Sequence, residues 1–205
     1  MKKTLLTVVF ALAVSFGFSQ MQVNLGGAYL KGDSENNNNV SRWGGSAAIK
    51  GMVGDNFALG LGFRTFPKID QDINMAGINY VRTSNISQLF IPVELILNSQ
   101  AEIIQPYLGG DLGLQFSNNT WRTTVDETSN SGVENKKTFV YLAPKIGFNA
   151  ALGEGIGLFA EGSYGFTFGD GSTDLNVGTE TFRDGPTSKH FLGQAGLFFR
   201  LNGAR

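Results

Sequence analysis

The sequence predicts an all-β fold, an eight-stranded antiparallel up-and-down transmembrane β-barrel with short periplasmic turns and four longer external loops. Three observations predict it. Eight segments alternate between apolar and polar residues, their connections alternate between short and long, and the apolar row of each segment carries no charge. Alternate side chains of a strand point to opposite faces, and a tilted strand of about nine to eleven residues crosses a bilayer.

The first nineteen residues have the order of a secretory signal peptide. Two lysines precede the apolar run 5–18, and small residues occupy positions 17 and 19. Residues 1–19 are therefore expected to be a cleavable signal peptide, and residues 20–205 the outer-membrane β-barrel domain. Fourteen Lys and Arg then remain against seventeen Asp and Glu, a net charge of −3 that argues against nucleic-acid binding.

Composition agrees with many short strands joined by tight turns. The 205 residues include 28 glycines and 17 phenylalanines, but only five prolines and no cysteine. The chain therefore has neither a disulfide framework nor thiolate chemistry. The eight predicted strands are residues 21–31, 41–53, 57–66, 86–97, 104–116, 139–151, 156–168 and 188–201.

The connections between these strands differ in length in a regular way. Short connections at 54–56, 98–103 and 152–155 contain the Gly, Asp and Asn residues that form tight turns. The long, polar connections are residues 32–40, 67–85, 117–138 and 169–187. Short and long connections therefore lie at opposite ends of the barrel, and both termini are expected on the periplasmic side.

The apolar rows themselves contain no charge. The rows opposite them carry charged residues, among them Lys50, Arg64, Glu94, Asp111, Lys145, Glu161 and Arg200. A Lys or Arg on the lipid face at mid-membrane costs about 2–4 kcal/mol, so the charged face points inward. A soluble ligand-carrying barrel would have the reverse arrangement.

Eight strands enclose a lumen barely wide enough for side chains, and buried charges persist only when they are paired. The seven charged residues are therefore expected to form a structural network that closes the lumen, with Lys145 at its centre between Asp111 and Glu161. An ion-conducting path is the alternative.

Aromatic residues near the strand ends predict two interfacial girdles. The external girdle contains Tyr29, Trp43, Phe116, Phe168 and Phe191, and the periplasmic girdle contains Phe57 and Phe199. Aromatic rings are enriched at both membrane–water interfaces.

Two prolines, Pro92 and Pro144, lie within predicted strands. A proline cannot donate a ladder hydrogen bond, and a closed barrel has no edge strand on which to place it. A β-bulge is therefore expected at each proline.

Two patterns that suggest chemistry are incomplete. His190, the only histidine, has Ser188 nearby but no Glu placed to orient its ring, so an isolated histidine at the external rim is expected. Asp170-x-Ser172-x-Asp174 begins like a calcium loop but lacks its glycine and closing glutamate. The sequence predicts no catalytic, cofactor-binding or metal site.

The last strand and the phrase QPYLGGDLG, which begins at Gln105, carry a family resemblance. The mature chain resembles the small eight-stranded outer-membrane barrels of the OmpX and OmpA transmembrane-domain type. Gln194, Gly196, Phe199 and Leu201 look like the C-terminal signal that the barrel-assembly machinery reads, although Asn202–Arg205 follow it. The resemblance implies the outer membrane of a Gram-negative-type bacterium and contact with that machinery during biogenesis.

These patterns predict a monomeric barrel with a structural or surface-interaction role and no cofactor. Its external loops are expected to contact lipid, lipopolysaccharide, another cell or a partner protein. A narrow porin that passes small solutes or ions is one alternative. An outer-membrane lipid-modifying enzyme is a further alternative.

Overall fold

The computed structural model describes residues 20–33, 40–75, 78–98, 103–125, 128–169, 173–177, 180–184 and 189–202. The predicted signal peptide, Asp170 and Ser172 lie outside the described residues. Within these ranges, no helix is long and apolar enough to cross a membrane.

The described residues form ten strands, eight of which close into one barrel. The strands are β1 (Gln20–Asp33), β2 (Val40–Val53), β3 (Phe57–Met75), β4 (Ile78–Ile96), β5 (Ile104–Val125), β6 (Thr128–Gly153), β7 (Ile156–Phe168), β8 (Thr173–Val177), β9 (Glu180–Asp184) and β10 (Lys189–Asn202). The order around the barrel is β1-β10-β7-β6-β5-β4-β3-β2, and among the described strands β8 pairs only with β9. The predicted fold class is confirmed.

The first and last barrel strands close the sheet. β1 and β10 pair antiparallel from Gln20↔Asn202 to Asp33↔Lys189. Closure removes the unpaired strand edges that a bilayer cannot hydrogen-bond. At the predicted periplasmic end, Gly54 and Gly155 have φ angles of 72° and 77°, which L-residues rarely adopt and tight turns require.

The outward face of the barrel is an apolar belt. Leu25, Leu112 and Leu158 have exposed fractions of 49%, 51% and 45%, and the inward residues between such positions are mostly buried. In β7 the burial alternates residue by residue along most of the strand. An apolar exterior around a charged interior requires lipid as the surrounding solvent, which is the arrangement of outer-membrane barrels.

Two of the predicted long loops are strand continuations instead. β3 and β4 remain paired up to Met75↔Ile78, and β5 and β6 up to Val125↔Thr128. The strand ends predicted at residues 66, 86, 116 and 139 were therefore wrong, because water bathes both faces of a strand above the membrane. The apolar–polar alternation that marks a strand within the bilayer is then not required. The fourth long connection contains the β8–β9 hairpin.

The bulges expected at Pro92 and Pro144 are absent. Pro92 pairs with Asp111 and Pro144 with Gly110, and the register is unchanged on either side. On their other sides the prolines have no cross-strand partner: Pro92 has none on β3, and Pro144 has none on β7. The missing N–H therefore interrupts one ladder without shifting it. Register shifts occur elsewhere, including one between Phe66 and Ile69.

Candidate functional site

Lys145 lies at the centre of a buried ion-pair network in the lumen. It projects inward from β6 with its Nζ atom 2.8 Å from Glu94 Oε1, 2.8 Å from Asp111 Oδ1 and 3.4 Å from Glu161 Oε2. The three carboxylates come from β4, β5 and β7, so one ammonium group joins three other strands.

Arg64, on β3, holds the other side of the network. Its Nη2 atom donates a short hydrogen bond to Asp111 Oδ2 and lies 3.4 Å from Glu161 Oε1. Its guanidinium carbon lies 3.8 Å from the centre of the Phe90 ring. A planar guanidinium donates to carboxylates at its edge while it stacks on an aromatic face, which an ammonium group cannot do.

Further polar side chains complete the pairing. Lys50 Nζ lies 3.0 Å from both carboxylate oxygens of Glu94. The hydroxyl of Tyr107 donates to Glu161 Oε2 at 2.8 Å. Gln194 accepts from Arg64 Nε at 2.9 Å and donates a short hydrogen bond to Glu161 Oε1.

The network is electrically balanced, with three cations and three carboxylates, all buried. Its charged groups come from β2 to β7, and Gln194 adds β10. Buried ion pairs are weak evidence of net stabilisation, but removing one partner leaves an uncompensated charge. The arrangement therefore fills the bore and joins opposite walls of the barrel.

Arg200, the seventh predicted member, is not part of this network. It lies half-buried at the periplasmic end, where its Nη2 atom donates a short hydrogen bond to Gln105 Oε1. Its guanidinium carbon is 5.0 Å from the centre of the Phe198 ring. The alternation placed Arg200 on the inner face but gave no information about its depth.

Apolar side chains close the lumen on the external side of the network. The buried cluster there comprises Ala28, Leu30, Phe66, Ile86 and Leu192. Arg42 lies at the same end and donates to the carbonyl oxygen and the hydroxyl of Ser84 at 3.0 and 2.7 Å. The lumen is therefore packed towards the outside and polar towards the periplasm.

His190 was predicted to lie at the external rim of the barrel. In the structure its side chain faces the lumen, and only 2% of the residue is exposed. Its ring occupies the space that a side chain at position 165 would need, and a Cβ added to Gly165 would collide with it. Its Nε2 atom is 3.5 Å from Gln88 Nε2. The glycine opposite it gives the ring room to fold inward, which the spacing of polar residues alone did not reveal.

Four buried polar atoms near His190 have no hydrogen-bond partner among the described residues. They are Tyr141 Oη, Ser163 Oγ, Thr167 Oγ1 and His190 Nδ1. Tyr141 and Thr167 are cross-strand neighbours, and the rings of Tyr141 and His190 are 6.3 Å apart. No nucleophile–base contact exists within this group, and no cluster of His, Asp and Glu in the described part of the chain is arranged to hold a metal ion.

All seven predicted girdle residues lie in barrel strands, and five of them are exposed. Trp43 has the largest exposed fraction, 72%, and its ring centre lies 4.9 Å from that of Tyr29 on the neighbouring strand. Phe57, Phe116, Phe168 and Phe191 are also exposed, whereas Phe199 is half-buried. The exposed rings are therefore available to the headgroup regions of the bilayer.

The residues of the predicted assembly signal have two different environments in the folded barrel. Gln194 joins the ion-pair network, and Gly196 lies so close to β1 that an added Cβ would collide with the carbonyl oxygen of Leu25. Leu201 is exposed on the apolar belt. Sequence reasoning did not assign Gln194 or Tyr107 to the network because neither carries a charge.

Solved structures show the same fold. A major outer membrane protein from Thermus thermophilus matches with a TM-score of 0.59 and 10% identity, over 89% of this chain and 99% of that chain. Ail, the attachment invasion locus protein of Yersinia pestis, matches with a TM-score of 0.57 and 10% identity in its complex with the heparin analogue sucrose octasulfate, over 90% of this chain and 99% of that chain. No family model and no curated protein matches the sequence.

The closed barrel, the apolar belt and the charged lumen define the class of the protein. It is a small eight-stranded β-barrel that spans the outer membrane. Identities near 10% show this fold and leave the function to be argued from the chain itself.

Proposed function

We propose that the barrel is a structural and surface-interaction protein of the outer membrane, neither a pore nor an enzyme. The observation that carries this proposal is a four-stranded sheet above the membrane, formed by the upper parts of β3, β4, β5 and β6. β4 and β5 join the two long hairpins, since they remain paired up to Asn79↔Thr124. The sheet is thus one continuous external surface.

The external sheet has two unpaired edges within the described residues. β3 loses its pairing with β2 beyond Gly45↔Thr65, and β6 loses its pairing with β7 beyond Val140↔Phe168. Exposed Pro67, Lys68 and Asp70 on the β3 edge discourage indiscriminate strand pairing. A partner is therefore expected to recognise particular side chains of this sheet.

The ion-pair network supports the argument against conduction. Ions would have to pass Lys145 and Arg64, which together contact all three buried carboxylates. An eight-stranded lumen leaves little space beside such side chains. Planar-bilayer recordings of the purified barrel should therefore show only small conductance, and a stable ion-selective conductance would favour the narrow porin.

Outer-membrane lipid is the second proposed contact. Exposed Lys31 pairs with exposed Phe191 across β1 and β10, and exposed Lys189 lies two residues from Phe191. Lysines just above an aromatic girdle reach the headgroup level, where the phosphates of lipopolysaccharide are available. Both lysines lie on the side of the barrel opposite the tall sheet.

Photocrosslinking on intact cells tests the surface role. A photoreactive residue replacing Lys68 or Lys136, both exposed on the external sheet, should capture a discrete partner. The same residue replacing Glu154, in a short turn at the other end, is the matched control. An identical set of products from all three positions would contradict the proposal.

A further inference from the structure

A cavity of about 400 Å³ opens at the periplasmic end of the lumen. The polar side chains that line it include Gln22, Lys50, Glu94, Gln105, Asn149 and Arg200. The ion pairs of Glu94 with Lys50 and Lys145 lie at its inner end, so the cavity is closed at that end, inside the barrel. Its volume lies in the range of small-molecule sites.

Among the described residues that line this cavity, Arg200 is the cation without an ion-pair partner. Lys50 is paired with Glu94. No carboxylate among the described residues lies within ion-pair distance of Arg200, although Asp55 also lines the cavity. A guanidinium has five donors in a fixed fork that matches the two oxygens of a carboxylate.

The neighbouring described groups hold Arg200 in place and use one of its five donors. One donor is used by Gln105, and the ring of Phe198 supports the guanidinium. Gln22 Nε2 donates to Asn24 Oδ1 at 2.8 Å and to Asn149 Oδ1 at 3.4 Å, which fixes an amide cluster in the same cavity. A preorganised cation beside fixed amides is the arrangement that binds a small polar anion with little entropic cost.

We propose that this cavity binds a small organic carboxylate from the periplasm. Arg200 takes the carboxylate group, and the side-chain amides of Gln22, Gln105 and Asn149 take the polar remainder. Asp55 at the opening weakens the site by repulsion. The proposal is independent of the surface role, because the external sheet and this cavity lie at opposite ends of the barrel.

Methionine methyl groups report on this site in the intact barrel. Met21 and Met52 line the cavity, whereas Met75 ends β3 at the far end of an external hairpin. With 13C-methyl methionine, glutarate added to the barrel in nanodiscs should shift the Met21 and Met52 signals and leave Met75 unchanged. Glutaramide, the neutral analogue, should shift none of them.

Three variants test whether Arg200 is the residue that binds glutarate. Arg200→Gln should weaken glutarate binding about tenfold or more, since a hydrogen bond to a charged group is lost. Gln105→Glu should weaken it as well, because the new carboxylate pairs with the guanidinium in place of the ligand. Lys189→Gln removes one exposed positive charge outside the cavity and should leave binding unchanged.

The outcomes that overturn the proposal are specific. Failure of the native barrel to bind glutarate would overturn it, as would equal binding of glutaramide. Retained affinity in Arg200→Gln would also overturn it. If Arg200→Gln fails to fold, shown by loss of its heat-modifiable gel shift, Gln105→Glu decides, and Asp55→Asn should raise the affinity of an otherwise native barrel.

Discussion

Lys145 Nζ lies 2.8 Å from Asp111 Oδ1, and both side chains are almost completely buried. Lys145 lies opposite Gly109 on β5, and Asp111 lies opposite Ala143 on β6, so the pair is diagonal across two strands. Strand neighbours about 4.8 Å apart allow this reach for a long lysine side chain. The contact joins the Lys50–Glu94 side of the network to the Arg64 side.

Lys145→Met should destabilise the barrel by about 3–5 kcal/mol, because three carboxylates then face only two cations in a buried place. Asp111→Asn should also destabilise it, since it leaves one cation in excess. The double variant restores the balance and should lose less than the sum of the two single variants. Urea unfolding in lipid vesicles measures each free energy of unfolding.

The two single variants and the double variant form a double-mutant cycle, and a second double-mutant cycle provides the control for the coupling of Lys145 and Asp111. Arg200 lies outside the network, so Lys145→Met and Arg200→Gln should have additive effects within about 0.5 kcal/mol. Simple additivity in the Lys145–Asp111 cycle would mean that the two charges are not coupled, and the lumen would then be held by its other pairs.

Two buried tyrosines permit a matched comparison of hydroxyl groups. Tyr107 donates to Glu161 at 2.8 Å, whereas the hydroxyl of Tyr141 has no partner in the described part of the chain. Tyr107→Phe should cost about 1–3 kcal/mol, because a buried carboxylate loses a donor. Tyr141→Phe should be neutral or stabilising, since an unpaired hydroxyl is removed. Equal losses in thermal unfolding would contradict this assignment.

The membrane-embedded part of the fold could be predicted from the sequence because lipid enforces the alternation there. The predicted start of β7 at Ile156 and its end at Phe168 match the structure. Above the bilayer this constraint is absent, and the upper parts of β3 to β6 were therefore not recognised as strands. Backbone pairing continues there without a pattern that distinguishes the two faces.

The lumen was less predictable than the belt. The apolar–polar alternation identified which charged side chains face inward. Their depth along the barrel axis depends on how neighbouring strands are offset, and this offset places Arg200 nearer the periplasmic end than the other six charged residues. The position of His190 depended on Gly165 across the strand pair. Uncharged partners such as Tyr107 have no sequence signal that separates them from ordinary core residues.

Thiol labelling tests the orientation of the barrel. The chain has no cysteine, so each introduced cysteine is unique. Lys68→Cys and Lys136→Cys, exposed on the external sheet, should react with an impermeant thiol reagent on intact cells. Asp55→Cys and Glu154→Cys, exposed in the short turns, should react only after the outer membrane is opened. Equal labelling of both pairs on intact cells would contradict the proposed orientation.

The last prediction concerns the lipid face at Leu112, which is 51% exposed on the outer side of β5. Leu112→Arg should cost about 2–4 kcal/mol if the site is near the bilayer midplane, because the guanidinium must leave water or distort the lipid.

The control must face outward but lie nearer the headgroups. Gln115 is unsuitable, because it is buried against Gln88 and an arginine there would be an unpaired lumen charge. Thr138 is exposed beside the girdle residue Phe116, so Thr138→Arg should cost only about 0–1 kcal/mol. Refolding titrations into vesicles measure both variants. A larger loss for Thr138→Arg would mean that the bilayer is centred nearer the external sheet, and the position of the apolar belt would have to be moved with it.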